Sequence, residues 1–82
     1  MGYKVEVTDT FGGEANYCWV HRHELPYFEA QADGFVKRSQ LVRAAKKAEG
    51  WTGMRCDVQD MGDQIVVKPR GLLQVMFIDW QD

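Results

Sequence analysis

The chain has 82 residues, of which 45% are hydrophobic and 27% are charged, and its net charge is −2. This length predicts a single domain over residues 1–82, and the apolar fraction excludes an intrinsically disordered chain. No apolar run is long enough to span a membrane, and the N-terminus lacks a secretory signal pattern, so we expect a cytoplasmic protein.

Two strands are predicted at the start of the chain. Apolar and polar residues alternate over residues 3–8 and again over residues 16–25, which is typical of half-buried strands. Residues 9–14 contain two glycines and predict a loop that is long for a tight hairpin turn. Pro26 ends the second strand, and we expect the connection over residues 27–36 to lie over the core.

A helix is predicted over residues 39–49. Ser39 is the expected N-cap, Gly50 the first residue beyond the helix, and Trp51 an apolar residue that folds back on the last turn. The helical spacing gives one apolar stripe, formed by Leu41, Ala44, Ala45 and Ala48. Because the helix is short, packing of this stripe on a sheet must stabilise it.

Three more strands are predicted over residues 54–60, 64–68 and 72–80, separated by turns at 60–63 and 69–71. The last of these strands is apolar on both faces, so it should lie centrally in the sheet. The sequence therefore predicts an α+β fold in the order ββαβββ, a mostly antiparallel sheet with one helix packed on one face.

The second face of this sheet has two possible states. Tyr3, Trp19 or Trp80 could remain there as an exposed apolar patch, which would indicate an interface. Alternatively, the connection over residues 27–36 covers that face.

Basic residues are concentrated in one eleven-residue window that contains no acidic residue. They are Lys37, Arg38, Arg43, Lys46 and Lys47. The rest of the chain holds five basic and twelve acidic residues, a net of −7. This asymmetry predicts a partner-binding surface on the helix. A solvated helix face and a nucleic-acid site that neutralises phosphates are the alternatives.

Two further groups could carry chemistry. His21 and His23 point to the same side of a strand, but a zinc site needs three or four ligands, so we expect exposed histidines and no metal. Asp57, Asp60 and Asp63 flank a turn, and turn chemistry explains the last two. No nucleophile and base can be paired, so we predict neither an enzyme nor a bound cofactor.

The two cysteines, Cys18 and Cys56, have no paired spacing. In a reducing compartment they are expected to be buried free thiols. A disulfide would form only if their strands were adjacent and in register.

The segment LVRAAKKAEGWTGMRC at residues 41–56, with the turns at 60–63 and 68–71, resembles small uncharacterised proteins of tailed bacteriophages and prophages. That class includes anti-CRISPR inhibitors. The resemblance implies a phage or mobile-element accessory protein that binds a host protein in the bacterial cytoplasm, as an inhibitor of host defence. A nucleic-acid-binding module that uses the basic helix and a homodimeric interaction protein are the alternatives.

Overall fold

A computed structural model describes residues 2–25, 38–62 and 64–81. Its elements are β1 (Gly2–Phe11), β2 (Glu14–Leu25), α1 (Arg38–Glu49), β3 (Cys56–Asp60), β4 (Gln64–Pro69) and β5 (Gln74–Gln81). Each strand pairs antiparallel with its neighbours. The predicted α+β fold in the order ββαβββ is therefore confirmed. None of the described residues belongs to a helix long and apolar enough to cross a membrane.

The strand order is β2-β1-β5-β4-β3, so β5 lies in the middle of the sheet as its sequence predicts. Met76 and Ile78 are buried in the core cluster that includes helix residues, while Val75 is buried on the opposite face. The strand starts at Gln74 and not at the predicted Leu72, because the turn at Arg70 and Gly71 continues as a bend through Leu72 and Leu73. Leu73 precedes the strand and is 79% exposed.

The core lies between α1 and one face of the sheet. Its sheet residues are Val5, Val7, Leu25, Ile65, Val67, Met76 and Ile78. Leu41 and Ala45 of the helix and Trp51 after it complete the cluster. Tyr3 and Trp19 also pack against this cluster, so neither residue forms the exposed patch on the second face that was one of the two alternatives. The predicted connection over residues 27–36 lies outside the described residues.

The helix is rotated relative to the predicted stripe. Leu41 and Ala45 are buried, Ala44 is half-buried and Ala48 is exposed. Glu49, four residues after Ala45, is the next residue on the side of the helix that faces the sheet. The helix begins at Arg38, which places Ser39 in the first turn and not at the N-cap.

The end of the helix follows the sequence prediction. Gly50 has a φ of 84° and its N–H donates to the Lys47 carbonyl, while the Trp51 N–H donates to the Lys46 carbonyl at 2.7 Å. This pair of bonds is the Schellman motif, which ends a helix with a left-handed glycine. Trp51, only 4% exposed, folds back into the core as expected.

The first hairpin is tighter than predicted. β1 continues to Phe11, and only Gly12 and Gly13 connect it to β2, with φ values of 64° and 86°. Two consecutive positive φ values are what a two-residue type I′ turn requires, and two glycines adopt them without strain. The predicted loop over residues 9–14 is therefore wrong.

A bulge displaces β2 close to this turn. The register moves from Val20 to Ala15 along β2 while it moves only from Thr8 to Thr10 along β1. Inside the bulge Tyr17 has a φ of 58°, a left-handed conformation that is rare for a bulky residue. Its N–H donates to the Thr8 Oγ1 atom at 3.0 Å, so a side chain replaces the missing ladder bond.

The carboxylate of Asp9 fixes the rest of the bulge. It accepts hydrogen bonds from the Asn16 side-chain amide at 2.9 Å, the Cys18 N–H at 2.9 Å and the Thr8 hydroxyl at 3.2 Å. Led by the Asn16 bond, these contacts hold the pKa of Asp9 below its ordinary value, because each favours the charged carboxylate.

Candidate functional site

Three of the predicted partner-binding residues lie together on the outer side of α1. Arg43 and Lys47 are exposed, whereas Lys46 is half-buried and its Nζ atom donates to the Met54 carbonyl at 2.6 Å. Lys46 therefore also holds the chain that follows the helix. Arg38 is the first residue of α1, and Lys37 lies outside the described residues.

A cavity of about 770 Å³ opens between α1 and β3. Its lining comprises Ser39, Val42, Arg43, Lys46, Lys47, Thr52, Gly53 and Val58. We call this the α1–β3 groove. Ligand sites in proteins typically fall within roughly 300–1,000 Å³ and combine apolar walls with a few convergent polar groups. The groove has both features, since Val42 and Val58 supply apolar surface beside three cationic side chains.

The sequence predicts the cations of this groove but not its opposite wall. Val58 belongs to an edge strand and is 51% exposed, although the alternation of residues 54–60 predicts an inward position. Val58 does face the helix side of the sheet, because it pairs with the buried Val67. Among the strands, however, α1 lies closest to β2, at the opposite edge, and leaves the β3 edge open. Strand order, which periodicity does not give, decides that exposure.

His21 and His23 contact Glu49, the last residue of α1. The distances are 3.1 Å from His21 Nδ1 to Glu49 Oε2 and 2.6 Å from His23 Nε2 to Glu49 Oε1. An ionised carboxylate only accepts, so each imidazole donates an N–H. The Glu49 side chain is 9% exposed, which makes this pair of contacts a clamp between β2 and the helix.

The sequence predicts two exposed histidines and does not reveal this His–Glu clamp. His21 is exposed, but His23 is half-buried and both are engaged. A signal existed: a glutamate at a helix C-terminus opposes the helix dipole and therefore suggests a compensating partner. Within residues 2–25, 38–62 and 64–81, no group of three or more His, Cys, Asp or Glu side chains is placed to hold a metal ion.

The aspartates near the β3–β4 turn make local contacts. Asp57 Oδ1 lies 2.9 Å from Arg70 Nη2, and this hydrogen bond raises the pKa of the Arg70 guanidinium. Asp60 Oδ1 accepts the Gly62 N–H at 2.9 Å, as an aspartate does in a turn. Asp63 lies outside the described residues.

The two cysteines lie on opposite edges of the sheet. Cys18 belongs to β2 and Cys56 to β3, so four strand spacings of about 4.8 Å put them about 19 Å apart. A disulfide requires Cα atoms within about 7 Å, which excludes one inside the molecule. Both thiols are free, but Cys18 is exposed and Cys56 is half-buried, so the expectation of two buried thiols is wrong.

The α1–β3 groove thus unites Arg43, Lys46 and Lys47 with apolar surface, whereas the His–Glu clamp and the aspartate contacts stabilise the fold. Comparisons of the sequence with protein-family models and curated proteins, and of the fold with solved structures, gave no match.

Proposed function

We propose that this protein is a binding module that recognises an acidic protein partner through the α1–β3 groove. The observation that carries the proposal is the placement of Arg43, Lys46 and Lys47 around a cavity whose remaining walls include Val42 and Val58. An apolar side chain of a partner can fill such a cavity while neighbouring carboxylates meet the cations. Buried apolar anchors surrounded by polar groups are the usual anatomy of protein interfaces.

The same observation favours a protein over a nucleic acid. Nucleic-acid affinity depends mainly on cations that neutralise a continuous row of phosphates. Here the Lys46 ammonium already donates to the Met54 carbonyl, which leaves Arg43 and Lys47 as the exposed cations of the groove. The apolar walls supply contacts that side chains use and that phosphates do not.

The resemblance to phage accessory proteins supports a more specific form of the proposal. In that form the partner is a host protein in the bacterial cytoplasm, and binding inhibits a defence system. Plaque counts test it: in cells whose CRISPR immunity blocks a phage, expression of the chain should restore plaques. A variant with reversed charges in the groove should not restore them.

Affinity capture from a bacterial lysate treated with nuclease tests the general proposal. The groove variant combines Arg43→Glu and Lys47→Glu. The matched control combines Arg22→Glu and Lys68→Glu, which reverse two exposed charges on the other face of the sheet. Both variants change the net charge equally, so any difference reports the position of the charges.

We expect at least one acidic protein to bind the wild-type and control chains and to be lost from the groove variant. Capture that is equal for all three chains, or absent from all three, would refute the proposal. A species that is captured only from a parallel lysate without nuclease, with a steep fall of log affinity against log salt, would instead establish nucleic-acid binding.

Self-association is the second candidate function, and a separate observation favours it. Phe11 is 80% exposed and Leu73 is 79% exposed, and the Thr10 N–H donates to the Leu73 carbonyl at 2.9 Å. The end of β1 and the β4–β5 connection therefore present apolar side chains side by side, as interfaces do. Light scattering at high protein concentration should give a dimer mass that Leu73→Ser abolishes, and a monomer mass for the wild type would exclude it.

A further inference from the structure

We infer that the α1–β3 groove binds an extended acidic segment of the partner as an additional strand paired with β3. This inference rests on the proposed function and specifies its ligand class and binding mode. Strand addition to a sheet edge is a common form of peptide recognition, in which main-chain hydrogen bonds supply affinity and side-chain pockets supply specificity.

The outer edge of β3 is open to such pairing. β3 is the last strand in the order of the sheet, and in the described part of the chain no strand pairs with its outer side. Proteins usually protect an edge with charged side chains, especially lysine, with proline or with a bulge. β3 contains neither lysine nor proline, and its register with β4 is regular from Cys56 to Asp60. Its two charged residues are engaged within the chain, since Asp57 contacts Arg70 and Asp60 accepts the Gly62 N–H.

The hydrogen bonds of β4 show which backbone groups of β3 face outward. The Arg70 N–H donates to the Arg55 carbonyl at 2.9 Å, and the Met61 N–H donates to the Gln64 carbonyl at 2.7 Å. In an antiparallel ladder alternate residues bond to the same neighbour. The odd-numbered residues therefore bond to β4, and Cys56 and Val58 direct their N–H and C=O groups away from it.

The position of Pro69 is consistent with this alternation of backbone hydrogen bonds. This proline pairs with Cys56, a position where β4 needs no N–H toward β3. Val58 thus directs its backbone N–H and C=O groups to the open edge, and its side chain lines the groove. A strand paired with Val58 would lie about 4.8 Å beyond β3, alongside the groove.

The charges of the groove determine the chemistry of the segment. Side chains of an added strand alternate between the two faces of the sheet, so every second one would point to the helix side. There they would meet Val42 and Val58 together with the cations Arg43 and Lys47. Apolar and carboxylate side chains satisfy this environment, whereas a basic segment would be repelled.

Fluorescence polarisation with labelled peptides of about seven residues tests the inference. This length covers the five residues of β3 with about one residue to spare at each end. The probes are a pool in which aspartate or glutamate is combined with one apolar residue type at a time. Matched probes replace the acids by lysine. Two further peptide sets carry N-methyl groups on alternate backbone amides, one set at the odd positions and one set at the even positions. N-methylation removes the N–H donor, so only the set whose methylated amides face β3 should lose the strand pairing.

The protein variants separate strand pairing from charge. Val58→Pro removes the outward N–H without removing a bond to β4, and Val58→Thr is the matched control that keeps it. We expect Val58→Pro to weaken binding about tenfold and Val58→Thr about twofold or less. Arg43→Glu with Lys47→Glu should abolish binding, and Arg22→Glu with Lys68→Glu should not.

Hydrogen exchange keeps the test valid even if Val58→Pro does not fold. In the wild-type chain, saturating acidic peptide should slow exchange of the Cys56 and Val58 amides about tenfold or more. One N-methyl set should lose binding and the other should retain it.

The outcomes distinguish the two proposals. Binding that depends on Arg43 and Lys47 but is equal for both N-methyl sets, without protection of the Val58 amide, would overturn strand addition and leave the proposed function standing. Absence of peptide binding, with groove-dependent capture of a protein from the lysate, would do the same. Absence of both would refute both proposals.

Discussion

Replacement of Glu49 by alanine tests whether the His–Glu clamp holds the helix on the sheet. The carboxylate has two contacts, at 3.1 Å to His21 and at 2.6 Å to His23, and its own side chain is 9% exposed. Hydrogen bonds to charged groups contribute about 1.5–3 kcal/mol when they are sheltered from water. Exposed pairs contribute about 0–1 kcal/mol.

The exposures of the two histidines decide which value applies. The His21 side chain is 58% exposed, so its contact falls in the lower range, at about 0.5 kcal/mol. The His23 side chain is 30% exposed, and its shorter contact should contribute about 2 kcal/mol. Removal of an acidic side chain from a helix C-terminus stabilises the folded state by about 0.5 kcal/mol, because the acid opposes the helix dipole. The net loss in the free energy of unfolding is therefore about 2 kcal/mol.

For a domain of this size such a loss lowers Tm by about 8–16 °C. Circular dichroism melts and urea titrations of the wild type, Glu49→Ala and Glu24→Ala would measure this loss of stability. Glu24→Ala is the control, because Glu24 is an exposed glutamate on β2, the strand that carries both histidines. A double-mutant cycle with His23→Ala should give a coupling free energy of about 1–2 kcal/mol. A Glu49→Ala melt that matches the Glu24→Ala melt would show that the clamp contributes nothing.

Three other predictions concern the bulge, the groove and the cysteines. The pKa of Asp9 is lowered in the folded state, so its stabilisation is present above the unfolded-state pKa and disappears as pH falls through the folded-state pKa. Asp9→Asn should thus be less stable than wild type at pH 7, and the two urea midpoints should converge in acid. Lys46→Ala should cost about 1 kcal/mol in urea unfolding because its bond to Met54 is lost, whereas Lys47→Ala should cost almost nothing. A thiol reagent should modify Cys18 first, and oxidation should produce no disulfide within one chain.

The strands and helix were predictable because local patterns encode them. β5 carries apolar residues on both of its faces. Such a strand requires cover on both sides, so the sequence predicted its central position in the sheet. Gly50 and Trp51 carried the complete signal of a helix end. These predictions depended on few neighbours in sequence and needed no knowledge of the strand order.

The errors arise where distant parts of the chain meet. The His–Glu clamp joins residues more than twenty positions apart, so neither periodicity nor spacing reveals it. The hairpin prediction was wrong because its two glycines indicated a loop over residues 9–14. In the structure the side chains of Thr8 and Asp9 take over hydrogen bonds of a bulged ladder. Likewise, the basic window predicted a charged helix face, but only the position of β3 turned that face into a groove.

The pairing of β1 with β5 has a consequence for the folding rate. These two strands form the centre of the sheet, yet Gly2 pairs with Gln81 and Asp9 with Gln74. The most buried pairing is therefore also the one with the greatest separation in sequence, which raises the contact order. Stopped-flow refolding should be correspondingly slow for a chain of this size, in the range of milliseconds to seconds. Substitutions between β1 and β5 should retard this step, while those in β3 should mainly accelerate unfolding.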